Sequence, residues 1–303
     1  MGSGTVALDY TNRDASFEWY RKAKQRGTWD PESFDLEQDK RDWETEFTDD
    51  ERYQFVKLCS LFYEGEESVT RTLAPYPLAV GALEDAPFDT LQEEMFLTTQ
   101  LWEESKHTDF FSRYFEEVFG TQDTDYGGFE AENFWNPELE AFLIDDLDAI
   151  SDDLRRAVDA DQGTLIHTMA EAVMHYMGVV EAELARVGYK GLAQMLDEKG
   201  ALPGFQGAIA KIEEDEGRHI ANGRWLMAQL AEMDPTVVDA VYEPMFEQFF
   251  DELLGPTVMN IMGDNPLGID GDLLFETAQG NYQSTVDSIG AERFAADVAA
   301  AGD

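Results

Sequence analysis

Trp102-Glu103-Glu104-Ser105-Lys106-His107 is the stretch on which the fold turns, and its core returns in Asp215-Glu216-Gly217-Arg218-His219. Each contains Glu-x-x-His, which on a helix sets a carboxylate and an imidazole on one face, one turn apart. Alone the motif is weak, because an acidic chain produces it often. Here the chain has 4 histidines, and two of them complete it. Two such pairs, joined by one Glu from each of two more helices, hold two metal ions in the core of a four-helix bundle. Glu66 and Glu181 are the expected further carboxylates.

The surrounding periodicity puts all four acids on buried stripes. A first helix starts at Thr48, a capping residue followed by Asp49, Asp50 and Glu51. Phe55, Leu58, Cys59, Phe62, Val69 and Leu73 recur along it at helical spacing, with Glu66 among them. It is expected to stop before Pro75 and Pro77. A second helix, Thr90 to Gly120, aligns Leu97, Leu101, Glu104, Phe111 and Phe115. A third, 163–187 with a stop at Gly188, places Glu181 between Met177 and Leu184. A fourth, 205–232, aligns Ile209, Ile212, Glu216, His219 and Leu226. Other helices are expected at 137–157, 190–198, 236–254 and 272–299. Residues 1–47 read as an N-terminal arm, irregular and then acidic, and 48–303 as a single helical domain without strands.

A lone carboxylate on an apolar stripe is costly. Four of them at four core positions therefore signal cations, since two divalent ions cancel four negative charges while the imidazoles stay neutral. Oxygen and nitrogen ligands without sulfur suit manganese or iron. Asp215, next to Glu216, is a candidate partner for the second nitrogen of a ligand histidine. His167 and His175 fall off their stripe and are expected in solvent or helix contacts. Glu67, Glu103, Glu183 and Glu213 read as solvated acids.

Composition narrows the remaining classes. The net charge of −43, from 64 acidic and 21 basic residues, excludes direct nucleic-acid binding. With 43% hydrophobic and 12% aromatic residues the chain is no disordered polyacid. It reads as the acidic surface of a halophile, whose self-repulsion high salt screens. Cys59, the sole cysteine, excludes a disulfide frame and a multi-thiolate site, and reads as a small buried hydrophobe. No apolar run reaches the roughly eighteen residues of a membrane span, and the start has no signal pattern, so a cytoplasmic protein is expected.

These residues resemble the radical-generating small subunit of ribonucleotide reductase and its relatives in the ferritin-like superfamily, over residues 15–255. Trp29-x-Pro31 looks like the subunit's tryptophan segment, and Asp215-Glu216-x-x-His219 like its Asp-Glu-x-x-His. The resemblance implies an all-α, ferritin-like four-helix bundle with additional helices and a dinuclear metal site in its core. It implies Glu66, Glu104 and His107 on the first metal and Glu181, Glu216 and His219 on the second. Asp215 and Trp29 would form an outer chain to His107. Two features depart from the reductase. Its radical tyrosine usually lies four residues after the first ligand histidine, where this chain has Phe111. Its tail carries a tyrosine that passes the radical to the large subunit, whereas the last tyrosine here is Tyr282.

The sequence is more similar to a sister family, the ligand-binding oxidases. These keep the bundle, use a mixed manganese/iron centre and bind a long-chain fatty acid at the metals. With dioxygen they join a tyrosine oxygen to the β-carbon of a valine. Their valine follows the first Glu ligand by three, as Val69 follows Glu66, and their tyrosine precedes the third helix's Glu by five, as Tyr176 precedes Glu181. The resemblance thus implies a dioxygen-activating two-electron oxidase and a homodimer. Manganese would sit on the first site and iron on the second, with di-iron as the variant, and Tyr176 and Val69 would be the reacting pair. The alternative is a ribonucleoside-diphosphate reductase small subunit without the radical tyrosine, serving a large-subunit partner. Iron storage is a third reading, of a different class.

Overall fold

Local chemistry starts the first long helix where the periodicity does. Thr48 Oγ1 accepts a hydrogen bond from the Glu51 amide at 3.3 Å, and Glu51 Oε2 accepts one from the Thr48 amide at 2.7 Å, a reciprocal cap. The computed structural model describes residues 13–120, 125–126, 129–130, 140–254 and 264–289. Its helices are α1 (Ala15–Arg26), α2 (Glu37–Thr45), α3 (Asp49–Thr72), α4 (Pro75–Gly81) and α5 (Thr90–Tyr114). They continue as α6 (Leu147–Ala157), α7 (Gln162–Val173), α8 (Arg186–Lys199), α9 (Pro203–Met233), α10 (Glu243–Gln248) and α11 (Gly271–Ile289). A two-residue antiparallel pair, β1 (Asp125–Tyr126) with β2 (Phe129–Glu130), is the extended structure among the described residues. The fold is all-α.

Four long helical runs form the bundle: α3, α5, α7 with α8, and α9. Each passes through the same three layers. Along α5, Phe96 and Leu97 belong to one apolar cluster and Phe110, Phe111 and Tyr114 to another, with Gln100, Glu103, Glu104 and His107 buried between. Along α9 the order reverses: Phe205 to Ile212 lie in the second cluster, Asp215, Glu216 and His219 in the middle, and Leu226 to Leu230 in the first. Glu66 sits likewise between Phe55 and Val69 on α3, and Glu181 between Val180 and Tyr189. Each buried Phe or Leu contributes about 1.5–3 kcal/mol of burial energy. The two apolar layers thus fund the burial of the polar one.

Winding changes at the third run. Met174–Ala185 is π-helical, with the Arg186 amide reaching back five residues to the Glu181 carbonyl. An i→i+5 pattern widens the helical turn, and such segments are frequent at functional sites. Tyr176 and Glu181 are five apart. Gly188 does not stop this run, which continues to Lys199, so the expected separate helix at 190–198 is its extension. Its role is clearance: a Cβ there would meet the Phe62 ring at 2.6 Å.

Two more differences have local causes. Pro75 breaks α3 as expected but then begins α4, because a first-turn proline lacks only an amide that would stay unpaired. The residues expected to be an irregular arm contain α1 and α2. α2 is anchored by its acids: Asp39 accepts from the amides of Gly204 at 2.8 Å and Phe205 at 2.7 Å and from the Tyr114 hydroxyl at 3.1 Å. Asp42 accepts from the Leu202 amide at 3.0 Å. Two side chains of α2 therefore cap α9, whose own N-cap, Leu202, makes no side-chain cap. The expected stretches 137–139 and 290–299 lie outside the described residues.

Candidate metal centre

The middle layer brings six of the sequence-selected side chains together. Glu66, Glu104, His107 and Glu216 each offer a ligand atom, all within 4.8 Å of one another, and Glu104, Glu181, Glu216 and His219 form a second such group. Glu104 and Glu216 belong to both. His107 Nδ1 lies 3.3 Å from oxygens of Glu66, Glu104 and Glu216. His219 Nδ1 lies 3.0 Å from Glu104 and 3.4 Å from Glu181. The two rings are 6.4 Å apart, and all six residues are buried.

Charge explains why the cluster wants cations. Burial pushes the Glu66 carboxyl up to about 8, with the charges of Glu104 and Glu216 adding to the effect. Burial and Glu216 push Glu181 well above the usual carboxylate range. Burial also works against an ionised Glu104, but His219 and His107 outweigh it and hold it well below. Carboxylates this close ionise together only when positive charge sits among them. Glu181 Oε2, Glu216 Oε2 and His219 Nδ1 are buried and have no hydrogen-bond partner among the described residues. Those free atoms, with the hard oxygen and imidazole donor set, fit two divalent ions sharing carboxylates.

Outside the ligand atoms lies a cross-braced shell. His107, on α5, has its Nε2 3.4 Å from Asp215 Oδ2, on α9. His219, on α9, has its Nε2 2.8 Å from Glu103 Oε2, on α5. The acid preceding each Glu-x-x-His thus faces the histidine of the other. Arg218 donates to Glu103 at 2.6 Å and also to Asp215. Lys106 donates to Asp215 at 2.9 Å, and Trp29 Nε1 donates to the same oxygen at 2.8 Å. Trp29 stacks on His107 with planes 12° apart. Carboxylates at the outer nitrogen fix the tautomer and orientation of ligand histidines.

Glu103 is the residue the periodicity misplaced: it is fully buried, not solvated. The signal was present, because both stretches read acid-Glu-x-base-His. Glu183 is also buried, with both oxygens lacking a partner among the described residues. The π winding shifts its phase, which α-helical periodicity could not register. Glu67 pairs with Arg71, and Glu213 is half-buried. His167 is partly exposed and contacts Asp234 at 3.2 Å. His175 packs on Phe142, and burial holds it down at about 4.

An apolar cavity of about 140 Å³ opens onto the cluster, reached by Glu66, Glu104, Glu181 and Glu216. Val69 and Tyr176 both line it. Tyr176 donates to Glu104 Oε1 at 2.6 Å, and Tyr189, unmarked by any motif, donates to Glu66 Oε1 at 2.6 Å. Gln100 donates to Glu181 at 3.1 Å. Phe111 is buried 6.1 Å from Phe62 and offers no hydroxyl. No helix among the described residues is long and apolar enough to cross a membrane.

Known proteins share this architecture. A point variant of an R2-like ligand-binding oxidase, with anaerobically reconstituted Mn/Fe cofactor, matches with a TM-score of 0.76 and 26% identity over 95% of this chain and 99% of that one. Another variant, with a non-activated Mn/Mn cofactor, matches with a TM-score of 0.73 and 26% identity over 91% and 93%. The family described as ribonucleotide reductase, small chain, matches residues 11–255. The chain belongs to the ribonucleotide reductase small chain family, with R2-like ligand-binding oxidases among its structural neighbours.

Proposed function

We propose that this protein is a dioxygen-activating oxidase whose dinuclear centre holds one manganese, at Glu66, Glu104 and His107, and one iron, at Glu181, Glu216 and His219. The neighbours with Mn/Fe cofactors and the paired ligand groups support the reading. The observation that carries it is the placement of Tyr176 and Val69 on one cavity, with the Tyr176 hydroxyl 2.6 Å from Glu104. Held by these residues, manganese(II) and iron(II) would supply electrons to dioxygen and the strength to oxidise an unactivated C–H bond. Joining Tyr176 oxygen to Val69 Cβ removes one hydrogen from each. With dioxygen as the oxidant, those two electrons and two protons, two further electrons that manganese(II) and iron(II) would supply, and two protons from solvent close the balance at two waters.

This chain's own residues orient the reaction. Glu104 receives the Tyr176 hydroxyl proton's hydrogen bond and aims the phenol oxygen into the cavity. Val69 is itself buried, and the apolar lining around it limits competition from solvent at its C–H bond. A long-chain fatty acid suits the same space: its carboxylate would complete the metal ligands and its tail would lie along Leu61, Leu184 and Leu274, which line the cavity. Peptide mapping after aerobic loading with manganese and iron tests the core claim. A joined Val69–Tyr176 peptide, two hydrogens lighter than its parts, is expected; two unmodified peptides would refute it.

A second reading draws on the Trp29–Asp215–His107 chain. In a reductase small subunit without the radical tyrosine, this chain would carry an electron toward a large subunit. Turnover of ribonucleoside diphosphates when a large subunit is added would establish it; none is expected.

A further inference from the structure

The outer partners of the two histidines are unequal. Glu103 Oε2 accepts from His219 Nε2 at 2.8 Å, and Glu103 Oε1 takes one cation, Arg218. Asp215 lies farther from its histidine, at 3.4 Å, and its charge is divided. Lys106 and Trp29 both donate to the oxygen that faces His107, and Arg218 occupies the other. Among the described residues, Asp215 therefore serves two cations and an indole where Glu103 serves one cation. A carboxylate at the outer nitrogen raises the basicity of a ligand imidazole. A carboxylate already neutralised and held back does so less.

We propose that Glu103 makes His219 the stronger metal ligand, and that this inequality steers the more nitrogen-preferring ion to the Glu181, Glu216 and His219 half. Iron(II) stands above manganese(II) in the affinity order for such sites. Glu103 and Lys106 are then positioning residues for metal choice: one strengthens its histidine, the other weakens the histidine across the bundle. The inference rests on the metal-centre reading above and adds the cause of its metal order.

The test is anaerobic loading with equimolar manganese(II) and iron(II), followed by anomalous diffraction at both metal edges. In the unsubstituted protein iron is expected to concentrate in the His219 half. Glu103→Gln should weaken metal binding in that half by about 10- to 100-fold and lower its share of iron, with a smaller effect on the His107 half. Lys106→Met removes a cation from Asp215, so iron should rise in the His107 half. A Glu103→Gln protein that loses both halves equally would show a merely structural role and overturn the proposal. So would a metal distribution unchanged in both variants. Should Glu103→Gln not fold, Lys106→Met decides alone: an unchanged His107 half overturns the proposal. Failure of the unsubstituted protein to bind any ion would instead remove the metal-centre reading itself.

Discussion

Tyr176 links the two parts of the site, since its hydroxyl donates to Glu104 and the residue lines the cavity that Val69 also lines. Tyr176→Phe removes the oxygen of the proposed ether but none of the proposed metal ligands. The expected outcome is two separate peptides by mass spectrometry, with about two metal ions per chain still bound by elemental analysis. Glu104 behaves differently, because it lies near both histidines. Glu104→Ala should reduce the metal content of both sites, and loss of one ion alone would show that the carboxylate is not shared. At this scale the sequence was informative for residues on α-helical stripes. Glu66, Glu104, Glu181 and Glu216 stood out because carboxylates do not belong among Leu and Phe. Glu103 escaped because its reason for burial, His219, lies 116 positions away.

Elements are held to one another by buried polar contacts that can be tested without touching the metal site. Asp39 on α2 accepts three hydrogen bonds, two of them from the start of α9. Asp39→Ala orphans those amides and should cost about 1–3 kcal/mol in urea unfolding. Glu93 on α5 is buried and accepts from Asn222 on α9 at 2.9 Å. Burial pushes its carboxyl from 4.5 up to about 8. Between those values the folded protein keeps a proton that the unfolded chain has released. Stability attributable to Glu93 is therefore full below about 4.5 and falls as pH rises to about 8. Glu93→Gln should flatten that decline in unfolding curves taken across the window; an undiminished slope would assign it to other groups. Neither α2's capping role nor the π winding at Met174–Ala185 was legible in the sequence. Capping in trans depends on tertiary distance, and a π turn breaks the 3.6-residue period by which helices are read.

Over the whole molecule, the charge is sorted by depth. Among the described residues, the buried acids Glu66, Glu103, Glu104, Glu181, Asp215 and Glu216 gather in one layer between two apolar clusters, Asp39, Asp42 and Glu93 are buried outside it, and most other acids remain on or near the surface. Self-repulsion at −43 opposes compaction, and salt relieves it: the Debye length falls from about 30 Å at 0.01 M to about 3 Å at 1 M. The melting temperature is expected to rise steadily from low to molar KCl; a flat profile would mean the surface charges are already compensated. The bundle was legible at this scale because apolar stripes of four long helices carry the same interruption, an inward acid. This interruption is what we propose holds two metal ions. Anomalous diffraction at the manganese and iron edges, from one crystal loaded with both metals, addresses it most directly. Two peaks about 3.5–4 Å apart are predicted, one among Glu66, Glu104 and His107 and one among Glu181, Glu216 and His219. A fully loaded crystal with no peak in the middle layer, or with ions only on surface acids, would contradict it.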